Sequence, residues 1–383
     1  MFITNGFEAI QNIPQASTRF FNVIEGLIGN QLTTLSICYH HDISLLRIAA
    51  ACPLLQHFYI RLHPDPEQPF EEDGYQLTTN NNTQLLPHLV YLVIDCRFQF
   101  SSRVAPLLRQ SPNLRILHFT SSTPCDFIPE AIGGNDVDFV SIMKICPDIF
   151  HLECHFDDFD DYLKLVPDYE SISYSKEHKG LRRLVYNDDD YVTSPRSGRV
   201  LQLLHHTYLT LTVLKIKQFW CPKYLNSMNT PAWADLASVL LPTLQELSVA
   251  FLNKHDMNAV CGFLQQYRFC KKTNLKKVSF RVWSFGFNKP LIAALSTIYS
   301  LVLVKFDVDD ESEGNLDALV SFPDNFSLFR LSSNLKTIQI DGRVKLSGND
   351  SEMLNQYTRY ITPSVIPNPF PYQMLYVTYT RKF

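Results

Sequence analysis

The sequence predicts an α/β solenoid in which short parallel strands build one sheet and helices cover one of its faces. Three observations carry this reading. A six-residue apolar pattern recurs along the chain, a stretch with helical spacing precedes most copies of it, and a proline often stands at the junction between the two.

The pattern is L-x-x-L-x-L with apolar replacements allowed. Copies begin at Leu32, Leu55, Leu89, Leu114, Ile149, Leu181, Leu211, Leu244, Leu275, Leu301 and Leu335, eleven in all, spaced 23 to 35 residues apart. That interval holds one helix, one strand and their connections. Alternation of apolar and polar residues with β-branched enrichment makes each copy a short strand. The preceding stretches 43–51, 104–110, 138–145, 199–206, 233–241 and 257–267 carry apolar residues at helical spacing. Pro53, Pro87, Pro112, Pro147 and Pro242 lie just ahead of five strands. Proline cannot continue a helix interior and pushes the preceding residue out of the α region, so each helix must stop there and the chain turns into the strand. Cys52 and Cys146 precede two of these prolines. They are expected to fill a narrow corner as small apolar side chains, since no other cysteine lies at metal-ligand spacing. A single helix–strand unit cannot bury both its faces. Stacking of about eleven irregular units solves that.

Composition sets the outer limits. The chain has 383 residues, 45% hydrophobic and 19% charged, which suits a folded protein. With only 13 glycines it offers no Gly-rich nucleotide loop. A net charge of −4 gives no electrostatic case for nucleic acid. No apolar run approaches 18 residues, and the start of the chain carries no secretory signal, so no membrane partner is expected. Nine cysteines without a C-x-x-C pair favour reduced thiols and a cytoplasmic or nuclear location. Nucleophilic, P-loop and zincin motifs are absent from the sequence, so the expectation is a non-enzyme without a cofactor.

The corner-plus-strand segments "CPLLQHFYI", "SPNLRILHF", "CPDIFHLEC" and "LPTLQELSV" resemble the irregular leucine-rich repeats of F-box/LRR proteins. These belong to the wider ribonuclease-inhibitor-like group, and the long insertions are similar to those of fungal members. The resemblance covers roughly residues 26–345. It implies a leucine-rich-repeat horseshoe with a concave parallel sheet and convex helices. It divides the chain into an N-terminal cap or remnant (1–31), the repeat solenoid (32–345) and a C-terminal cap (346–383). It further implies a substrate-recognition subunit of an SCF-type ubiquitin ligase. The Leu-Pro-x-Glu-like helix of an F-box is not found ahead of Leu32, so docking on a Skp-type adaptor is expected only if an F-box is supplied. The other reading is a stand-alone scaffold or inhibitor unrelated to ubiquitin.

In the six-residue pattern the apolar positions point inward. The third and fifth positions, and the one after the sixth, face the concave surface. In the first half this face presents His57, Tyr59, Tyr91, His118, His151 and Glu153. Tyr59 and Tyr91 are expected to be exposed anchors. In the second half it presents Arg183, Lys215, Lys217, Lys277, Arg281 and Lys305, a basic stripe on a slightly acidic chain. That stripe fits a protein partner with an acidic or phosphorylated segment. The acidic clusters 157–161, 187–191 and 307–313 are expected to be solvated loop tips.

"HLECH" (151–155) is the sequence's best metal candidate, with His118 expected beside Glu153 on the neighbouring strand. The ends of this stretch lie about 13 Å apart along an extended backbone, so His151, Glu153 and His155 are not expected to share one ion. A solvated or partner-contacting cluster is expected instead, with pH-dependent binding as one consequence.

Overall fold

Each of the eleven expected strands begins at the third residue of its hexapeptide. They are β1 (Thr34–Tyr39), β2 (His57–Leu62), β3 (Tyr91–Cys96), β4 (Ile116–Thr120), β5 (His151–Phe156), β6 (Arg183–Asp188), β7 (Val213–Lys217), β8 (Glu246–Ala250), β9 (Lys277–Val282), β10 (Leu303–Val308) and β11 (Thr337–Arg343). Two more, β12 (Thr362–Val365) and β13 (Met374–Thr380), follow near the C-terminus. The computed structural model describes residues 21–39, 44–62, 85–96, 100–120, 139–156, 180–188, 196–217, 241–250, 254–267, 274–282, 289–308, 334–343, 362–365 and 374–380. The chain divides into two compact units, Met1–Arg183 and Leu184–Phe383.

In the first unit β1 to β5 pair in chain order, all parallel. Helices α1 (Leu45–Ala51), α2 (Phe100–Arg109) and α3 (Phe139–Ile145) connect or precede these strands, and consecutive helices pack on one another. Ser44 caps α1, its hydroxyl oxygen accepting from the Arg47 N–H at 3.2 Å. The second unit repeats the arrangement: β7 and β8 pair, as do β8, β9, β10 and β11, again all parallel. Its helices are α4 (Arg196–Thr207), α5 (Lys254–Gln266) and α6 (Lys289–Ser296), with α5 packed on α6. The protein is therefore an α/β protein built on parallel sheet. The expected helix over 233–241 lies outside the described residues up to Leu241.

Parallel strands covered on one face by helices need apolar residues there. Leu35, Phe58, Leu92, Leu117 and Leu152 sit one per strand at matching register, all fully buried. Leu214, Leu247, Val278 and Val304 do the same in the second unit. Each such side chain contributes about 1.5–3 kcal/mol by leaving water.

The junction ahead of each strand recurs in atomic detail. The Leu55 N–H donates to the Cys52 carbonyl, Leu89 to Leu86, Leu114 to Ser111, Ile149 to Cys146, Leu244 to Leu241 and Leu301 to Ile298, all at 3.1–3.3 Å. This is a four-residue turn with proline at its second position in five of the six, where a fixed φ is pre-set for turning. Its first residue is wholly buried each time: Cys52, Leu86, Ser111, Cys146, Leu241 and Ile298. Cys52 and Cys146 fill this corner as expected, and leucine and isoleucine fill it too.

A second recurrence stitches neighbours together. The carbonyl of the hexapeptide's second residue accepts from the second and third N–H groups of the next one. Thr33 serves Gln56 and His57, Gln56 serves Val90 and Tyr91, and Lys276 serves Val302 and Leu303. Turn side chains add rungs, with Asn113 donating to the Pro87 carbonyl at 2.7 Å and Asn334 to that of Tyr299 at 2.6 Å.

Both ends of the chain add structure. Phe21 and Ile24 are buried ahead of β1, and the Arg47 guanidinium on α1 stacks 3.9 Å from the Phe21 ring while pairing with Glu25. At the other end β13 runs antiparallel to β11 and to β12. The C-terminal segment was expected to be a strand or cap, and it pairs as strands.

Candidate functional site

The polar face of the first unit is built by the residues that the apolar pattern leaves free. β4 and β5 are in register with His118 opposite Glu153 and Ile116 opposite His151. Strand alternation puts His151, Glu153 and His155 on the same face of β5. Three imidazoles close on one carboxylate there. His155 Nε2 is 2.7 Å from Glu153 Oε1. An ionised carboxylate only accepts, so His155 carries the proton on Nε2 and donates it. His151 Nε2 and His118 Nε2 approach the other oxygen, Oε2, at 3.5 and 3.6 Å.

The electrostatics of this cluster have an identifiable origin. Burial raises the Glu153 carboxyl, but the facing His151 and His155 rings and the nearby His118 outweigh that and hold it well below the usual carboxylate range. Burial drives the His118 imidazole down to about 3, against the attraction of Glu153, with Arg183 among the charges that push it the same way. At neutral pH the site therefore holds an anionic carboxylate and a neutral His118. Backbone spacing separates the Cα atoms of His151, Glu153 and His155, yet both imidazoles lean inward onto the carboxylate between them.

An aromatic row leads away from the cluster. His118 packs edge-on against His151 at 5.0 Å and against Tyr91 at 5.5 Å. Tyr91 in turn meets Tyr59 at 5.2 Å and His57 at 6.2 Å. Such contacts arise because parallel strands stand roughly 4.8 Å apart, too close for rings at neighbouring positions to avoid one another. They correct the expected exposure. Tyr91 is only 3% exposed, with rings on both flanks, and His151, packed against His118, only 2%. His57 is exposed and Tyr59 half-buried, so the accessible edge of the row lies at β2. Burial also lowers the His57 imidazole.

Each unit carries an ion pair among its strand residues. Arg61 Nε lies 3.0 Å from Asp95 Oδ2, between register partners on β2 and β3. The pairing was legible as opposite charges at the same free position of neighbouring strands, although neither residue was singled out. In the second unit Lys215 Nζ lies 3.2 Å from Glu246 Oε1. The basic stripe is therefore interrupted at its second strand. Lys277 is exposed and Lys305 half-buried on the same face. Lys217 and Arg281 end or approach the ends of β7 and β9, and their side chains lie outside the described residues, as do 157–161 and 309–313. Arg183 opens β6 at the boundary of the first unit, with Val185 and Asn187, expected on the open face, buried after it.

Cys52, Cys146, Cys154 and Cys261 are buried free thiols. Burial raises Cys52 and Cys261 to about 11 and Cys146 to about 12. The Cys146 thiol points at the Leu108 carbonyl, 3.4 Å away, near the end of α2. No described helix is long and apolar enough to cross a membrane.

No family model matches the chain, and a search of curated proteins finds no match.

Proposed function

We propose that this chain is a protein-interaction module of the leucine-rich-repeat type, with the polar face of its parallel strands as the binding surface. In this reading the strands line the concave side of a horseshoe. The observation that supports it best is the division of labour in each hexapeptide. Among the described side chains the apolar positions are buried, while the intervening ones differ from strand to strand, with rings and imidazoles on β2 to β5 and lysines on β7, β9 and β10. A face whose chemistry varies over a constant core is suited to selective recognition.

The partner that suits this face is a protein with an aromatic-accepting or polar patch for β2 to β5 and an acidic or phosphorylated segment for the lysines. By its resemblance to F-box/LRR proteins, the chain is further proposed as a substrate receptor of an SCF-type ubiquitin ligase. A stand-alone scaffold or inhibitor is the second reading. Affinity capture from native extract tests both. Wild type is compared with Tyr59→Ser and Lys277→Glu, both on the polar face, and with Leu209→Ser, on an exposed leucine after α4. The proposal expects proteins that are lost with the first two and kept with the third. A captured set indifferent to all three would remove it. Co-capture of a Skp-type adaptor supports the ligase reading, and a face-dependent partner without it supports the scaffold.

A further inference from the structure

We propose that His118, His151 and Glu153 form a zinc site spanning β4 and β5. One ligand atom from each of the three lies within 4.8 Å of the other two. A tetrahedral zinc ion bound at about 2.0–2.1 Å holds its ligand atoms about 3.3 Å apart. The two imidazole nitrogens stand 3.5 and 3.6 Å from Glu153 Oε2, so two edges of that tetrahedron are already close to their final length. The three ligand atoms as a set already lie within 4.8 Å, and closing the remaining edge between the two histidines completes the site.

The donor set narrows the metal. Two imidazoles and one carboxylate suit zinc and neighbouring divalent transition metals such as ferrous iron, whereas calcium and magnesium take all-oxygen shells and copper(I) takes sulfur; zinc is proposed because near-tetrahedral edges are already present. His155 supplies the supporting contact, its Nε2–H fixing Glu153 Oε1 at 2.7 Å and leaving Oε2 for the ion. The Tyr91 ring braces His118 from the far side. Three protein ligands leave a fourth position, open toward the polar face through the partly exposed His118 and Glu153, for water or a partner's side chain. The inference uses only side chains within the first unit and stands whether or not this face binds a protein.

The full-length chain, stripped with a chelator, is titrated with Zn²⁺ and examined by X-ray absorption at the zinc edge. The site predicts one ion per chain and a nitrogen/oxygen shell at about 2.0–2.1 Å with imidazole scattering. His118→Gln is predicted to weaken binding by at least about tenfold with an unchanged circular dichroism spectrum. No stoichiometric binding, a sulfur shell at about 2.3 Å, or equal affinity in folded His118→Gln would each overturn the assignment. Should His118→Gln fail to fold, the absorption spectrum of the wild-type chain decides alone.

Discussion

Gly29 sits between the N-terminal turns and α1 with no room for a side chain. A Cβ there would lie 2.3 Å from the Ala51 carbonyl oxygen and 2.5 Å from that of Ile24. Both obstacles are backbone, so relief requires moving α1. Gly29→Ala is predicted to destabilise the protein by about 1–3 kcal/mol. Gly26→Ala meets nothing within 4 Å and is predicted to be neutral or slightly stabilising. Chemical denaturation of the pair checks both. Glu25, four residues before Gly29, is held below its ordinary pKa first by its hydrogen bond to Arg47. A depressed carboxyl contributes stability above its unfolded value of 4.5 and loses it as the pH falls through the folded value. Glu25→Gln should therefore unfold at lower denaturant than wild type at pH 7, by less than about 1 kcal/mol because the pair is partly exposed. The two midpoints should converge on acidification. At this scale the sequence was only partly legible. Register placed His118 opposite Glu153, but period alone cannot say how far a side chain leans, so the convergence of three imidazoles on one carboxylate was missed. Nor can it count the rings that cover Tyr91.

The element that defines this fold is the turn between helix and strand. Its first residue is buried whether it is cysteine, serine, leucine or isoleucine, and Ser111 shows how a polar one is accommodated: its hydroxyl donates to the Leu107 carbonyl at 2.9 Å. Cys52 occupies the equivalent place after α1, where the Ile48 carbonyl stands four residues back. Cys52→Ser is accordingly predicted to cost no more than about 1 kcal/mol, whereas Leu241→Ala, which leaves a cavity, should cost about 2–5 kcal/mol. Thermal and denaturant unfolding distinguish the two. Strand positions were legible to within two residues, each strand beginning at the third residue of its hexapeptide, because proline and the apolar triplet act together, one stopping the helix and the other demanding a buried face. The helix over 104–110 was legible although Pro106 interrupts its hydrogen bonding, because Val104, Leu107 and Leu108 keep a buried stripe. α6 was not singled out. Its eight residues begin next to Pro290, which is tolerated in a helix's first turn, and they offer little more than two turns of periodicity.

At the scale of the whole molecule, core and surface were legible to different degrees. The inward positions obey a rule that any parallel, helix-covered sheet enforces. The outward positions obey none, and for that reason they carry the proposed function. They also resist reading, since ion pairs such as Arg61–Asp95 and Lys215–Glu246 form inside the face and take charges away from a partner. The account predicts that a partner's footprint follows the strands and not the helices. The most direct measurement is covalent side-chain footprinting of the chain alone and with its captured partner, read by mass spectrometry. Protection of Tyr59, His57 and Lys277, with Leu209 and the exposed Tyr208 after α4 unchanged, is the predicted result. Protection confined to Tyr208 and Leu209, with the strand residues as reactive as before, would contradict it.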